Sequence, residues 1–364
     1  MLAFLSVAFL IYGVMHIYAL AKVWLVFTHS PGPGLTLGFL GLVMTFSPLI
    51  LWHMTKQNWH GATVVTSWAV YVWMGFLFLF CSIALVFDAG HAMAVLLGFK
   101  WHLNESKTLL TVGLLALSML GYGFVEARKI RVEKIKITTP RLSQAIGRVT
   151  IAQISDLHLG VMLGDEFLER VIAILREIQP DIIVATGDII DGQGDDLDAL
   201  ARRFLTLQPP KGKFAVLGNH EYYAGLDNSL RFLHSAGFTV LRGESAAAGG
   251  IIVAGIDDPG AGATKADRAL ASVTKEDFIV LLKHQPVFDS EMPFDLQLSG
   301  HIHGGQIFPF GILTRLSYGV RTGLTQLADG RLLYVSRGAG TWGPPIRLFA
   351  APEITLVTIE SEKK

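Results

Sequence analysis

The first third of this chain is so apolar that it restricts what the whole protein can be. Residues 1–125 contain six charged side chains, namely Lys22, Lys56, Asp88, Lys100, Glu105 and Lys107. A helix needs about 20 predominantly apolar residues to cross a bilayer. Four stretches approach or exceed that length, at Leu2–Phe27, Leu35–Met54, Ala62–Phe87 and Thr108–Val125. The sequence therefore predicts four transmembrane helices.

Several features refine this prediction. The first stretch has no basic start and a longer apolar run than a signal peptide, so we expect an uncleaved span. The apolar segment Ala92–Phe99 is too short to cross, and we expect it at the interface or in a re-entrant turn. Asp88 and Glu105 are predicted to lie outside the spans. A transporter usually carries paired charges inside the membrane, so the pattern gives that function little support.

Basic residues predict the orientation of the chain. Directly after the fourth span come Arg128, Lys129, Arg131, Lys134 and Lys136. Such clusters remain on the cytoplasmic side, and Lys100 and Lys107 are too few to reverse the orientation. We expect a protein of the bacterial inner-membrane type with residues 1–127 in the membrane. A basic juxtamembrane linker (128–147), which could also touch anionic lipid, would lead to a cytoplasmic domain (148–364).

The remaining chain has an ordinary soluble composition, with 26 of the 30 Lys and Arg residues and 28 of the 30 Asp and Glu residues after position 125. Short apolar runs, as in buried strands, alternate with segments whose apolar residues have helical spacing. This alternation is typical of an α/β domain. The strands are predicted at 149–154, 181–186, 213–217, 251–256, 278–283, 296–299, 332–336 and 353–360. The helices are predicted at 165–178, 196–207, 226–236 and 265–272. Cys81 is the single cysteine, so there is no disulfide framework.

Polar motifs follow directly after five of these predicted strands. They are Asp156-Leu157-His158, Gly187-Asp188, Gly218-Asn219-His220-Glu221, Lys283-His284-Gln285-Pro286 and Gly300-His301-Ile302-His303-Gly304. Because ligands bind outside the carboxyl ends of strands in α/β sheets, we expect these loops to converge. They supply two carboxylates, one amide and four imidazoles, enough for two divalent cations. Oxygen and imidazole donors without thiolate favour Mn²⁺, with Fe or Zn²⁺ as alternatives. Two such cations about 3.5–4 Å apart would share a hydroxide that attacks a phosphate ester.

These motifs resemble the calcineurin-like metallophosphoesterase superfamily, whose pattern is D-x-H, G-D, G-N-H-[ED], H and G-H-x-H. The resemblance covers roughly Val149 to Glu360 and implies a four-layer α/β/β/α sandwich. It assigns Asp156, His158 and His303 to one metal, and Asn219, His284 and His301 to the other, with Asp188 bridging. It also implies that His220 is a non-ligand acid, which protonates the leaving oxygen or stabilises the transition state.

The end of the chain is similar to a membrane-anchored branch of this superfamily. The similarity is carried by Gly304-Gly305-Gln306, Ser336–Thr341, Pro345–Phe349 and Pro352-Glu353-Ile354. Members of that branch are often grouped with UDP-2,3-diacylglucosamine pyrophosphatases of lipid A synthesis. The resemblance implies a hydrolase for a phosphodiester or pyrophosphate bond of a lipid-linked substrate. The apolar segment Ile307–Leu316 would form a lip beside the metals, and Arg315 and Arg321 would clamp a second phosphate.

Other functions remain to be weighed. Protein phosphatases of the superfamily carry Asp-Arg-Gly where this chain has Asp191-Gly192-Gln193, so their phosphate clamp is missing; we expect Asp191 to brace the loop. A nuclease needs a basic groove, and the soluble half is near neutral, so we expect no nucleic-acid partner. A broad-specificity phosphodiesterase or phosphomonoesterase that uses its spans as an anchor is an alternative. A non-catalytic membrane sensor of a phosphorylated ligand is another, but it would have no need of His220. No protein partner is implied.

Overall fold

The computed structural model describes residues 2–27, 31–57, 59–99, 104–192, 197–258, 270, 273–274, 276–288 and 292–362. The chain divides into two compact units. One comprises Met1–Val125 with Gly343–Ile346, and the other comprises Glu126–Trp342 with Arg347–Lys364.

The first unit is built from four long helices, α1 (Leu2–Phe27), α2 (Pro31–Lys56), α3 (His60–Leu96) and α4 (Glu105–Glu126). All four contain a segment that is long and apolar enough to cross a membrane. They coincide with the four predicted spans.

Helix α3 is longer than predicted, and one prediction about it is wrong. Ala92–Leu96 continues α3 and forms no separate interfacial or re-entrant segment. The reason is that no proline interrupts residues 88–96, and alanine, leucine and methionine favour helix. Asp88 consequently lies inside α3, where it accepts hydrogen bonds of 2.6 Å from both Lys22 Nζ and Tyr18 Oη of α1. Each oxygen of the Asp88 carboxylate therefore has one partner on α1.

The second unit contains two six-stranded sheets. The first has the order β1-β12-β2-β3-β4-β5, from β1 (Arg131–Thr139), β2 (Arg148–Ile154), β3 (Ile182–Thr186), β4 (Lys213–Val216), β5 (Thr239–Val240) and β12 (Glu353–Ser361). Its strands are parallel except where β12 meets β2. The second has the order β10-β11-β9-β8-β7-β6, from β6 (Glu244–Ala248), β7 (Ile251–Gly255), β8 (Ile279–Leu282), β9 (Leu296–Ser299), β10 (Gly323–Gln326) and β11 (Leu332–Val335). Only its outer pairs, β6 with β7 and β10 with β11, are antiparallel.

The alternation of side chains along the strands makes these sheets the inner layers of a sandwich. Ile151 of β2 and Val280 of β8 belong to one buried core between the sheets. Ala152 and Ile154 point the other way, into a core with the helices on the outer face of the first sheet. The α-helices among the described residues of this unit are α5 (Asp165–Ile178), α6 (Leu197–Phe204), α7 (Asn219–Tyr223), α8 (Leu226–Ser235) and α9 (Phe310–Tyr318). The predicted four-layer α/β/β/α fold is confirmed. The helix predicted over 265–272 falls, apart from residue 270, outside the described residues.

The basic linker predicted over 128–147 is wrong for most of its first half. Residues 131–139 form strand β1, which pairs in parallel with β12 from Arg131 opposite Glu353 to Thr139 opposite Ser361. Its charges suggested a linker, but Ile135 and Ile137 alternate with exposed lysines, as on an edge strand with one buried face. The segment after Gln306, for which no helix or strand was predicted, contains helix α9 and then β10.

Candidate active site

The ligand candidates lie on loops that open at the carboxyl ends of parallel strands. Asp156 and Asp188 each follow the last residue of their strand, β2 or β3, by two positions. His284 follows β8 and His301 follows β9 in the same way, and Asn219 comes three residues after β4. These strands are parallel neighbours within their own sheets. The fold therefore brings all five loops to one edge of the sandwich, as the sequence predicted.

One group of side chains consists of Asp156, His158 and His303. Each offers an atom within 4.8 Å of the others, and all three residues are buried. His158 Nε2 lies 3.0 Å from His303 Nε2, which in turn lies 3.5 Å from Asp156 Oδ1. Two imidazole nitrogens and a carboxylate oxygen that point at one another are the donors of a divalent-metal site.

A second group contains Asp188, His284 and His301. His284 Nε2 lies 3.1 Å from Asp188 Oδ2 and 3.1 Å from His301 Nδ1. The amide oxygen of Asn219 lies 3.2 Å from the same His284 nitrogen. The two groups coincide with the two ligand sets that the resemblance implies. Their binding of metal stays a prediction.

Neighbouring groups fix the orientation of the second pair of imidazoles. His284 Nδ1 lies 2.8 Å from the carbonyl oxygen of Thr186, to which it donates, so Nε2 is left facing Asp188. His301 Nε2 lies 2.6 Å from the hydroxyl of Tyr318, so Nδ1 faces His284. Metal-binding histidines are usually held in this way through their other ring nitrogen. No sequence motif indicated Tyr318, because its helix, α9, was not predicted.

The buried charges of the second ligand group balance one another. Burial would raise the pKa of Asp188, but His284 and then His220 hold it well below its usual value. Burial would lower the pKa of His284, but Asp188 raises it to about 10. Burial lowers the pKa of His301 to about 3. A proton on His284 thus balances the buried Asp188 carboxylate, and a divalent cation can take over that role. The donors present therefore fit two metals of the predicted kind.

The ligand loops are held in a strained backbone conformation. Five ligand candidates have positive φ angles: Asp156 (52°), His158 (49°), Asp188 (53°), His301 (73°) and His303 (49°). A residue with a side chain adopts this region at a cost, and such strain clusters at functional sites. The motif glycines have a packing role. A Cβ atom on Gly218 would lie 2.2 Å from Asp188 Oδ1, and one on Gly300 would lie 2.3 Å from Asp156 Oδ2.

His220 stands beside the ligand groups with its own carboxylate partner. Its Nδ1 lies 2.5 Å from Asp191 Oδ1. Burial would lower the pKa of His220, but the hydrogen bond with Asp191 and the charge of Asp188 raise it to about 9. Because Nδ1 is engaged, Nε2 is the atom that can donate a proton. Asp191 was expected to brace the loop. The sequence did not indicate this pairing, since an acid three residues after Asp188 is a common loop feature.

Two exposed aromatic rings flank His220. The ring of Tyr223 lies 5.4 Å from the imidazole and the ring of Trp342 lies 5.7 Å from it, centroid to centroid. The side-chain amide of Gln306 holds the backbone of Trp342, accepting from its N–H at 2.9 Å and donating to its carbonyl at 3.0 Å. This explains a motif glutamine to which the sequence assigned no role.

Glu221 and Arg347 are buried residues that contact the ligand loops. Glu221 is fully buried, and its carboxylate accepts hydrogen bonds from the backbone N–H groups of Gly218, Asp188 and Ile189 at 2.7–2.9 Å. It thereby ties two ligand loops together. The guanidinium of Arg347 is also buried and lies 3.2 Å from His303 Nδ1. Both belong to the quoted motifs, but their contacts lie far away in sequence and could not be read from it.

Arg315 and Arg321 are exposed residues in α9 and just after it. Among the residues that the structure describes, it does not bring either arginine into contact with the ligand side chains. Their predicted role as a clamp for a second phosphate stays a prediction.

Comparison with known proteins points to one family. A model of that family, described as calcineurin-like phosphoesterase, matches residues 149–305. A metallophosphoesterase of Aquifex aeolicus (strain VF5) is 41% identical over 258 residues, which are 68% of this chain and 98% of that protein. A Bacillus subtilis metallophosphoesterase is 34% identical, over 66% of this chain and 90% of its own. A Danio rerio protein named as a transmembrane protein with metallophosphoesterase domain is 32% identical, over 66% of this chain and 60% of its own.

Proposed function

Since this chain belongs to the calcineurin-like phosphoesterase family, we propose that it hydrolyses a phosphodiester or pyrophosphate bond of a lipid-linked substrate. It is a membrane protein and a metal-dependent phosphoester hydrolase, of a family that uses a dinuclear metal centre. The observation that carries the proposal is the pair of buried ligand groups with His220 beside them.

Each residue of the site has a part in the proposed reaction. Asp156, His158 and His303 would hold one cation, and Asn219, His284 and His301 the other, with Asp188 between them. When bound, two divalent cations supply a hydroxide at neutral pH and stabilise charge on the phosphoryl oxygens. His220 would give a proton from Nε2 to the leaving oxygen while Asp191 holds Nδ1. We propose Mn²⁺ as the metal, with Fe or Zn²⁺ as alternatives, since all three bind carboxylate, amide and imidazole donors.

The lipid character of the substrate is supported by the chain itself. Four apolar helices confine the catalytic domain to a membrane surface, where a lipid-linked phosphate ester is concentrated. Such confinement raises the effective concentration of substrate without any new contact. UDP-2,3-diacylglucosamine is the specific candidate, and Arg315 and Arg321 would contact its second phosphate.

The test compares three substrates with full-length protein in nanodiscs. UDP-2,3-diacylglucosamine, bis(p-nitrophenyl) phosphate and p-nitrophenyl phosphate would be offered with Mn²⁺, and release of UMP or nitrophenolate measured. We expect UMP release that needs added metal and is abolished in Asp188→Ala, the variant that lacks the bridging carboxylate. If only the two soluble esters are hydrolysed, the protein is a broad-specificity phosphoesterase and the lipid-linked substrate is excluded. Turnover without metal would contradict the two-metal reaction.

We further propose that the membrane is a bacterial inner membrane and that the catalytic domain lies on its cytoplasmic side. The support is the basic cluster from Arg128 to Lys136 that follows α4. A fluorescent reporter that matures only in the cytoplasm, fused after Lys364, should be active. A matched fusion to a phosphatase that works only outside the cytoplasm should be silent. The reverse pattern would place the site on the other side and exclude a cytosolic nucleotide-linked substrate.

A further inference from the structure

Helix α9 turns its apolar face toward solvent and not toward the protein. A surface helix normally turns its apolar side toward the protein. In α9 the side that faces the protein carries Gly311 and Tyr318. Gly311 packs so closely that a Cβ atom built on Gly305 would lie 2.2 Å from its Cα, and the Tyr318 hydroxyl contacts His301. The opposite side carries the large apolar residues, and helix spacing places them on one arc: Phe310 (48% exposed), Ile312 (54%), Leu313 (55%) and Leu316 (76%).

Two further aromatic rings extend this surface. Phe308 and Phe349 contact each other with ring centroids 5.8 Å apart, and they are 48% and 77% exposed. Phe349 has a φ angle of 58°, a left-handed conformation that is unusual for a bulky residue. These two residues and the four on α9 form what we call the α9 patch. Contiguous exposed apolar surface of this kind marks an interaction site.

The surroundings of the α9 patch indicate a lipid surface. The same chain carries four helices that can span a membrane, so a bilayer is always within reach of the catalytic domain. Arg315 lies on α9 between the apolar arc and the protein, and Arg321 follows three residues after the helix; both are exposed. Apolar side chains flanked by basic ones are the composition of helices that lie in the plane of an anionic membrane surface.

We propose that the α9 patch inserts into the interface of the bilayer that anchors α1–α4, with Arg315 and Arg321 at the level of anionic headgroups. Tyr318, on the other side of the same helix, contacts the ligand candidate His301 at 2.6 Å. The insertion therefore sets the metal site beside the headgroup layer. The proposal deepens the proposed function by giving the lipid substrate its place of entry, but it depends on the anchoring and not on the reaction.

Insertion can be measured without any turnover. Cys81 is the chain's single cysteine, so a Cys81→Ala background allows one fluorophore to be placed by Leu316→Cys. The matched control is Leu205→Cys, at an exposed apolar position directly after α6. Full-length protein in vesicles of phosphatidylglycerol and phosphatidylcholine would be exposed to nitroxide-labelled lipid and, separately, to iodide in the water.

We expect the label at 316 to be quenched by nitroxide lipid and protected from iodide, and the label at 205 to behave in the opposite way. Arg315→Gln with Arg321→Gln should weaken the lipid quenching in phosphatidylglycerol vesicles but not in pure phosphatidylcholine. Equal access of iodide to both labels would overturn the proposal. Protection of position 316 from both quenchers would also overturn it, because protein and not lipid would then cover the patch. Either failure would leave the phosphoesterase assay unaffected.

Discussion

Glu221 illustrates how single residues hold the ligand loops in place. Its buried carboxylate accepts hydrogen bonds from four backbone N–H groups in the loops after β3 and β4, one of them that of Asp188. The loop after β3 carries Asp188 in the strained, left-handed conformation, so something must compensate for the strain. The convergence of the ligand candidates and His220 could be predicted because their motifs are local in sequence and each follows a strand. The contacts of supporting residues such as Tyr318 and Arg347 could not be predicted, because only the folded chain brings these residues next to the ligand candidates.

The first prediction concerns this support. Glu221→Gln should weaken metal binding about 10–100-fold, the usual effect of losing a group that orients ligands. An amide has one acceptor oxygen where the carboxylate has two, and its NH₂ would face N–H donors. Titration of the metal-free protein with Mn²⁺ measures the affinity. Glu244→Gln, at an exposed position of β6, is the control. Equal metal affinities in the two variants would show that the ligand loops keep their conformation without Glu221.

His220 allows a prediction about the reaction itself. His220→Ala should keep its metals but turn over an alkyl ester about 100-fold more slowly, the scale of general acid–base catalysis. A nitrophenyl ester should suffer less, because nitrophenolate leaves without a proton. Asp191→Asn should produce part of the same difference between the two esters, since Asp191 holds the ring of His220. Equal loss on both esters would point instead to positioning of the phosphate.

At the scale of elements, buried Lys213 joins two helices to the first sheet. Its Nζ donates to the carbonyl of Phe204, the last residue of α6, at 2.9 Å, and to that of Ala236, directly after α8, at 2.6 Å. Burial lowers the pKa of Lys213 to about 8, so it still carries charge at pH 7. A cation at the carboxyl ends of two helices satisfies their last carbonyls and interacts well with their dipoles.

Lys213→Met should therefore lower the free energy of unfolding by about 2–4 kcal/mol. The two lost hydrogen bonds from a charged group contribute about 1.5–3 kcal/mol each, and the lower desolvation cost of burying methionine offsets part of that loss. Lys211→Met is the matched control. Its ion pair with Asp181 is 3.5 Å long and only partly buried, so about 1 kcal/mol or less is expected. Urea unfolding of both variants measures the difference. Similar losses would mean that Lys213 contributes no more than a surface charge.

The elements also show where sequence patterns succeed. Buried strands such as β3 and β9 are short apolar runs between turn residues, and their predicted bounds agree with the structure within one residue. Strand β1 was missed because it lies at an edge, where one face is charged. Helix α9 was missed because its apolar residues point away from the protein.

At the scale of the whole molecule, β1 changes where the catalytic domain begins. A chain starting at residue 126 keeps β1, whereas one starting at residue 148 removes it and leaves β12 as an unpaired edge. We expect the first to be soluble, to bind metal and to cleave a soluble diester near the parental rate, but to lose efficiency on acylated substrate. The second should aggregate, since an exposed edge strand invites pairing with other chains. Expression of both, followed by size-exclusion chromatography, checks this. If the chain that starts at residue 148 is monomeric and folded, residues 128–147 are a linker that the catalytic domain does not need.

The position of β12 has a consequence for the order of events during synthesis. This strand lies between β1 and β2 in the sheet although it is made some 200 residues after both (Glu353–Ser361 against Arg131–Thr139 and Arg148–Ile154). Until the ribosome has produced it, neither earlier strand has its central partner. Helices α1–α4 are complete long before that, and domains form as units while the chain emerges. A nascent chain would thus be integrated into its membrane before it could become an active hydrolase.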